Sequence, residues 1–276
     1  MTLEESIKYH AQITPDKPAA VCGKDSITYS ELWKAIESKA QALADEGLMP
    51  DRPYVFRATQ DLEFLKIYCA IHHAGAIAVP LENKVNDETF NAIKTEVESC
   101  EFASDIVDIL YTTGTTGKSK GVMLSETALV SCADNFIADL HFSPDLLFII
   151  SGPLNHIASL FKMHPVLTVG GTVCILDGLK DMNAFFEVFN LPFKKFATFM
   201  VPASLRLIMQ FSYDKLCSLA YKIDFIETGA APITQHDMEQ LSHALPHSRL
   251  YNTLGGTEIG AVCTYDFNDG KHMEGC

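Results

Sequence analysis

The sequence predicts an α/β fold in which layered, mostly parallel sheets are flanked by helices. Short apolar segments, typical of buried strands, alternate with helical segments through the second half of the chain. The length of 276 residues, with 47% hydrophobic and 20% charged residues, is ample for a buried core. We find no internal repeat and no low-complexity linker, and we expect one domain with approximate subdomains at residues 1–110 and 111–276.

The first half contains two helical patterns and one strand pattern. Residues 29–46 place Leu32, Ile36 and Leu43 near helical spacing, with Gly47 just past the end. Residues 62–73 form a second helical pattern, and an apolar run ending at Pro80 follows. Residues 106–111 (IVDILY) have the composition of a buried strand.

The second half repeats strand and helix more regularly. Pro202 suits the first position of a helix, and Thr234 with Asp237 is a capping-box variant. The predicted strands are 146–150, 172–176, 196–201 and 224–227, and the predicted helices are 156–166, 182–189, 204–211 and 234–245. In parallel sheets of this kind, ligands bind beyond the carboxyl ends of the strands. The loops after residues 111, 150, 227 and 251 are therefore the candidate site.

Charge and composition exclude several classes of function. Lys and Arg total 21 against 35 Asp and Glu, a net charge of −14. Such a chain is poorly suited to bind nucleic acid or anionic membranes non-specifically. We see no membrane span and no secretory signal, and the eight cysteines form no CxxC pair. We therefore expect reduced thiols, a cytoplasmic location and no nucleic-acid partner.

The segment with the clearest chemistry is residues 112–121 (TTGTTGKSKG). Its glycines let backbone amides converge on an anion, its threonines supply hydroxyl donors, and Lys118 and Lys120 supply positive charge. This combination predicts a polyphosphate-binding loop.

The loop is not a Walker A motif, although Gly117-Lys118-Ser119 matches its end. That motif needs a glycine five positions before Gly117, where this chain has Thr112. Residues 121–124 (GVML) are strand-like, and Ser125 is a natural N-cap for the helix that follows. The loop is therefore expected to join two strands.

Residues 111–121 (YTTGTTGKSKG) resemble the phosphate-binding signature Y-T-S-G-T-T-G-x-P-K-G of the adenylate-forming superfamily, with Ser119 in place of proline. This superfamily contains AMP-binding acyl- and aryl-CoA synthetases, luciferases and amino-acid adenylation domains. Five further segments agree in order and spacing with the family: ITYSEL at 27–32, AGAIAVPL at 74–81, PLNHI at 153–157, TGAAP at 228–232 and LGGTE at 254–258.

The resemblance implies a reaction. A carboxylate attacks the α-phosphate of ATP to give an acyl-adenylate and pyrophosphate, and the acyl group then passes to a thiol, usually that of CoA. The implied partners are ATP, Mg²⁺, CoA and a small-molecule carboxylic acid. The PLNH segment favours the acyl-CoA synthetase branch, and a role in fatty acid metabolism is an expectation.

The resemblance also implies roles for individual residues. Lys120, Thr257, Glu258 and His156 are the implied catalytic residues; Thr257 donates to the α-phosphate, and His156 lines the carboxylate end of the acyl pocket. Glu258 binds Mg²⁺, with Thr112 adding a second oxygen. The implied nucleotide-binding residues are Thr112, Thr113, Gly114, Thr115, Thr116, Gly117 and Lys118 for the phosphates, and Gly229, Ala230, Ala231, Pro232, Thr253, Leu254, Gly255 and Gly256 around the adenine.

Three features depart from the family pattern. Leu254 stands where the family has a tyrosine that stacks on adenine. Residues 82–108 are shorter than the equivalent family segment. The chain also stops before the family's ribose-binding aspartate and its small C-terminal domain, so we expect an N-terminal portion that lacks the β-barrel end and the lid. A missing C-terminal domain or a second chain would then be its partner.

Several alternatives stay open. The chain could be a catalytically incomplete module that binds ATP or an acyl-adenylate, or an amino-acid adenylation domain, and the acceptor could be a carrier-protein thiol instead of CoA. A kinase or ATPase of the Walker type is disfavoured by Thr112. Walls of the acid pocket are expected at residues 154–160, 200–204 and 227–230.

Overall fold

The computed structural model describes residues 1–113, 119–179 and 181–269. The helices are α1 (Leu3–Ile13), α2 (Tyr29–Asp45), α3 (Leu62–His73), α4 (Asp87–Glu98), α5 (Glu126–Leu140), α6 (Ile157–Leu160), α7 (Met163–Thr168), α8 (Met182–Glu187), α9 (Pro202–Phe211), α10 (Tyr213–Ser218) and α11 (Gln235–Ala244), with a 3-10 turn at Val188–Asn190. The strands are β1 (Pro18–Cys22), β2 (Asp25–Thr28), β3 (Pro53–Ala58), β4 (Ile77–Glu82), β5 (Ile106–Thr113), β6 (Ser119–Ser125), β7 (Leu146–Ile150), β8 (Thr172–Ile175), β9 (Lys195–Met200), β10 (Ile223–Gly229), β11 (Arg249–Gly256) and β12 (Gly260–Asp266).

These strands form two sheets. The larger has the order β12-β11-β10-β9-β7-β8-β1-β2, and the smaller has the order β3-β4-β5-β6. Neighbouring strands are parallel except for three pairs, β1 with β2, β11 with β12 and β5 with β6. The prediction of an α/β fold with mostly parallel sheets is therefore confirmed.

Both faces of the larger sheet are covered, as its apolar strands predict. On β7, Phe148 and Ile150 contribute to the main core, which also contains Leu110 from the smaller sheet. Leu147 and Ile149 alternate with them and pack in a second core with α8, α9 and α11. Helices α1, α2, α3, α5 and α7 contribute to the main core shared by the two sheets, and α4 covers the outer face of the smaller sheet.

Local capping explains several helix starts. The Ser125 hydroxyl accepts a hydrogen bond from the Ala128 amide at 3.2 Å and so begins α5 directly after β6. Thr234 and Asp237 form the predicted capping box of α11. The Asp237 carboxylate also pairs with Arg206 of α9 at 2.7 Å, and this pairing lowers the pKa of Asp237 to about 2. The predicted helices at 29–46 and 62–73 are confirmed as α2 and α3.

Two elements differ from the sequence-based expectation. The predicted helix at 156–166 is two short helices, α6 and α7. Pro165 has no amide to donate to the Phe161 carbonyl, and its ring would clash with that carbonyl in one continuous helix. A helix that restarts at Met163 places Pro165 in its first turn, where no donor is needed. A loop was expected after Tyr251, but β11 continues to Gly256 because it pairs with β12.

Two expectations about the chain as a whole can be compared with the described residues. Within those residues, no helix is both long enough and apolar enough to cross a bilayer. The cysteines at 22, 69, 100, 132, 174, 217 and 263 are all free thiols.

Candidate functional site

The carboxyl ends of the central parallel strands open into a cleft of about 1180 Å³. Its walls come from β6 and α5, from residues 151–162, from the ends of β9 and β10, and from the β11–β12 hairpin. Members of all three expected pocket walls line it, including Ile157, Met200 and Ala230. A smaller depression of about 420 Å³ between α9 and α11 is lined by none of the predicted site residues.

Thr257 and Glu258 occupy the turn between β11 and β12 and line this cleft. Antiparallel pairing of Gly256 with Gly260 closes the turn and fixes its position at the cleft mouth. The Glu258 side chain is exposed, so it is available to a bound ligand. Thr253, Gly255 and Gly256, which precede the turn, line the same cleft, whereas Leu254 is 62% exposed and is not in its lining.

The start of the predicted adenine segment is a point of close backbone approach. Gly229 ends β10 opposite Thr253 of β11, and a Cβ atom on Gly229 would lie 2.4 Å from the Thr253 carbonyl oxygen. Ala230 follows with φ of 63°, in the left-handed region that favours glycine. Ala230 lines the cleft, whereas Ala231 and Pro232 are exposed residues of the same turn outside its lining.

The strands on either side of the phosphate loop are antiparallel neighbours, as the sequence predicted. Thr112 of β5 pairs with Lys120 of β6, and the Ser119 hydroxyl donates to the Thr112 carbonyl at 3.2 Å. Lys120 is exposed and Thr112 is half-buried, and neither lines the cleft. The predicted phosphate ligands Gly114, Thr115, Thr116, Gly117 and Lys118 lie outside the described residues, as does the side chain of Thr113.

His156 lies at the N-cap position of α6, and its side chain makes no capping hydrogen bond. The imidazole is exposed and faces the cleft instead of the core. The neighbouring backbone is held by the connection between β3 and α3, because the Gln60 side chain donates to the Gly152 carbonyl and accepts from the Leu154 amide, at 2.8 and 3.2 Å. The histidine is thus presented to the cleft by a fixed loop.

The described residues contain no cluster of three or more metal-binding side chains. Glu258 is the predicted metal carboxylate at the cleft, and Thr112 is not in the lining. Mg²⁺ usually keeps its waters and binds one or two carboxylates together with substrate phosphates. This donor set therefore fits a magnesium ion that is carried by a nucleotide, and it does not fit a metal cage built by the protein.

A buried ion pair in the cleft wall is the main feature that sequence reasoning missed. The Lys162 ammonium, just before α7, lies 2.8 Å from Oε1 and 2.7 Å from Oε2 of Glu227 on β10. The two side chains are 4% and 1% exposed. Burial lowers the pKa of Lys162, and the adjacent Glu227 carboxylate opposes that shift.

The sequence carried part of the signal for this pair. Glu227 belongs to an expected pocket wall, because it is the last residue of the predicted strand 224–227. Lys162 is a lone cation in the apolar run 160–166 (LFKMHPV), which lies within a predicted helix. A single charge in such a run needs a buried counter-ion, which is a signal that could have been used.

A second buried network lies behind β5, the strand that leads into the phosphate loop. His72 of α3 contacts Glu4 of α1 at 3.2 Å and Asp108 of β5 at 3.1 Å, and the Tyr68 hydroxyl donates to Asp108 at 2.7 Å. Burial disfavours the charge on His72, but the two carboxylates outweigh it and raise the pKa of His72 to about 10. Burial lowers the pKa of His164, which contacts the same tyrosine, to about 4.

The sequence matches the family model of AMP-binding enzymes over residues 7–102 and 85–275. The chain belongs to the AMP-binding enzyme family. The resemblance inferred from the motifs is therefore confirmed.

Curated relatives of this chain include a carrier protein ligase and a CoA ligase-like protein. A D-alanine–D-alanyl carrier protein ligase of Bacillus licheniformis is 24% identical over 96% of this chain and 60% of its own length. A 4-coumarate–CoA ligase-like protein of Arabidopsis thaliana is 30% identical over 60% of this chain and 30% of its own length. This chain thus spans about 60% of the carrier protein ligase.

Solved structures share the fold. Apo MatB from Rhodopseudomonas palustris has a TM-score of 0.82 at 20% identity, over 97% of this chain and 62% of that one. The same protein bound to ATP has a TM-score of 0.80. At this level of identity the likeness concerns the fold.

Proposed function

We propose that this chain is the nucleotide- and acid-binding portion of an AMP-forming acyl- or aryl-CoA ligase. The carboxylate of a small acid attacks the α-phosphate of ATP, pyrophosphate leaves, and an acyl-adenylate forms. The acyl carbon is then attacked by the CoA thiol, a thioester forms, and AMP is released.

One observation carries the proposal. A single cleft collects the Thr257–Glu258 turn, the Ala230 turn and the His156 loop, which come from separate motifs of the family resemblance. The β6 strand that follows the phosphate loop forms another wall of the same cleft through Met123. The segments to which the resemblance assigns nucleotide and acid binding thus line one cleft at the carboxyl edge of parallel strands, where α/β sheets bind ligands, and this supports the proposal.

Each group has a positioning or electrostatic task. Lys120 supplies positive charge beside the phosphates, and the Thr257 hydroxyl donates to the α-phosphate. His156 lines the path of the attacking carboxylate. Phosphoryl chemistry of this kind depends mainly on alignment and charge stabilisation, so such residues need no covalent role.

Glu258 would hold a nucleotide-bound Mg²⁺, which neutralises phosphate charge when it is bound. The chain carries a net charge of −14, so long-range attraction does not favour a polyphosphate. Local cations and backbone amides must supply that attraction. Lys120 is one such cation, on the exposed face of β6.

The first test is ATP–pyrophosphate exchange by the 276-residue chain, with a panel of carboxylic acids. We expect label to enter ATP only when an acid is present, and AMP to be the nucleotide product. Lys120→Ala or Glu258→Ala should each lower the exchange rate by about 10²–10³, because each removes one preorganised charge from the transition state.

Matched controls are Lys84→Ala and Glu37→Ala, whose side chains are exposed and far in sequence from every site segment. These controls should exchange at the parent rate. Measurable ATP binding without exchange would favour the catalytically incomplete module. Release of ADP would favour a kinase or ATPase.

A carrier-protein acceptor is the second candidate, because the carrier protein ligase aligns with nearly the whole chain. Mass spectrometry of the thioester product distinguishes the two acceptors. Acyl-CoA supports the first proposal, whereas acylation of a phosphopantetheine carrier without acyl-CoA supports the second.

A further inference from the structure

The buried ion pair belongs to a larger cluster in the cleft wall, the Lys162 cluster, made of Lys162, Glu227, Phe136 and Phe199. The Lys162 ammonium lies 4.0 Å from the centroid of the Phe136 ring and 5.2 Å from that of Phe199. All four residues line the cleft. The ammonium is thus held between a carboxylate and two aromatic faces.

The cluster has unused hydrogen-bonding capacity at one atom. Glu227 Oε1 accepts a hydrogen bond from Lys162. Glu227 Oε2 is buried and pairs with the Lys162 ammonium at 2.7 Å, and no other donor in the described part of the chain makes a hydrogen bond with it. A carboxylate oxygen has two lone pairs, so this atom can accept a further hydrogen bond from a ligand.

We propose that the Lys162 cluster selects a carboxylic acid that carries a hydroxyl group on an apolar body. This inference rests on the proposed function and names the class of acid. The hydroxyl donates to Glu227 Oε2 and accepts from the Lys162 ammonium, so one group complements both members of the pair. Phe136 and Phe199 provide the apolar surface beside it.

The pair gives a charged substituent no net attraction. An added ammonium group would lie beside the Lys162 cation as well as beside Glu227, and an added carboxylate would meet the same two charges, so neither recovers the cost of leaving water. A neutral hydroxyl has a smaller cost of leaving water. The two side chains are 4% and 1% exposed and both line the cleft, so the proposed hydroxyl meets them at the cleft wall.

The test compares acids that differ in one substituent. The parents are benzoate and butanoate, and each is compared with its hydroxyl derivatives at every position. Charged comparisons are 3-(aminomethyl)benzoate, isophthalate, 3-aminobutanoate and glutarate. We measure kcat/KM in ATP–pyrophosphate exchange, and acid binding alone by calorimetry. In at least one series, a hydroxylated acid should exceed its parent by about 10-fold or more.

The decisive variant is Lys162→Met/Glu227→Leu, which removes both charges together. Apolar replacement of both members of a buried pair is often neutral for stability, whereas removal of one member leaves an unpaired buried charge. The hydroxyl preference should fall below about 2-fold while the parent acid is retained. The control Lys195→Ala/Asp145→Ala, an exposed ion pair with 3.1 Å separation, should keep the preference.

Each outcome has one meaning. Exchange without a hydroxyl preference, a preference for a charged acid, or a preference that survives in the double variant overturns this inference and leaves the proposed function standing. A hydroxyl preference in calorimetry without exchange supports the inference and contradicts the proposed activity. Failure of every acid both to bind and to support exchange contradicts both.

Discussion

At Gly229 a hydrogen atom occupies the space that a side chain would need between β10 and β11. A Cβ atom there would meet the Thr253 carbonyl oxygen at 2.4 Å, which is too close for real carbon–oxygen contacts. The neighbouring atom belongs to the backbone of a paired strand, so it cannot rotate away. The glycine therefore sets how closely the two strands that carry the candidate adenine segments approach.

Gly229→Ala should lower the free energy of unfolding by about 1–3 kcal/mol, because the added methyl forces the strands apart. Urea denaturation measures this change. Gly256→Ala on β11 is the matched control, since its Cβ would meet Ile259 at an ordinary 3.5 Å, and its effect should stay within about 0.5 kcal/mol. Equal effects of the two substitutions would contradict the steric explanation.

Single residues also mark the limit of the sequence-based prediction of the site. His156, Thr257 and Glu258 were predicted because short segments around them match a family pattern, and all three line the cleft. Lys162 and Glu227 lie 65 positions apart, and although a lone cation in an apolar run indicates a buried partner, it does not say which residue that partner is. Their 2.7 Å contact depends on how the fold brings the residue before α7 to β10, and it was not readable from either segment alone.

At the scale of elements, helices with clear apolar spacing and caps were predicted well, as α2 and α3 show. The break between α6 and α7 follows from Pro165, a local signal that the apolar pattern outweighed in the prediction. The extension of β11 to Gly256 is different, because it depends on pairing with β12. The strand propensity of the residues in one segment does not indicate which other segment it will pair with.

The buried histidine His72 joins three elements through charge, since it lies on α3 and contacts Glu4 of α1 and Asp108 of β5. In the folded chain the pKa of His72 is raised to about 10, whereas its ordinary value is 6.5. Its contribution to stability is therefore complete below pH 6.5 and is lost as the pH rises towards 10. The free energy of unfolding should fall by about 2–5 kcal/mol over this range, beyond the effect of other groups.

His72→Gln isolates this contribution, since the amide can still donate to a carboxylate but does not titrate. Urea denaturation of both proteins between pH 6 and 10 gives the difference in slope. The variant should be less stable at pH 6 and should lose less stability as the pH rises. Parallel curves would show that His72 does not bind its proton more tightly in the folded state.

At the scale of the whole molecule, the two sheets share one core. The main cluster contains Ala78 and Leu110 from the smaller sheet together with Ala20 and Phe148 from the larger. The division near residue 110 stays a prediction. Strands β1 and β2, from before that point, lie in the larger sheet, and β6, from after it, lies in the smaller sheet.

The shared core predicts a single cooperative unfolding transition. Trp33 on α2 is the only tryptophan in the sequence and packs edge-on against His73 of α3 at 5.0 Å. Its fluorescence should therefore change at the same urea concentration as far-UV circular dichroism, which reports helices on every layer. Two separated midpoints would show that parts of the molecule unfold independently.

The class of the whole fold was predictable because alternation of apolar strands with amphipathic helices has few solutions. The order of strands in the two sheets was not predictable from the sequence. Strand β1 pairs with β8, although more than a hundred residues separate them along the chain, and β2 lies at the edge next to β1. The position of Ala20 beside Val173 is a long-range pairing with no counterpart in local pattern.

The contact between Glu4 and His72 gives α1 a role in holding a buried charge, which its sequence pattern does not indicate. Thr2 and Glu5 cap this helix, and its Glu4 carboxylate supplies one of the two acceptors around the histidine. A shortened protein that begins after Ile13 would leave the histidine with Asp108 alone and would open its ring to water. Deletions made for expression or engineering should therefore spare residues 3–13.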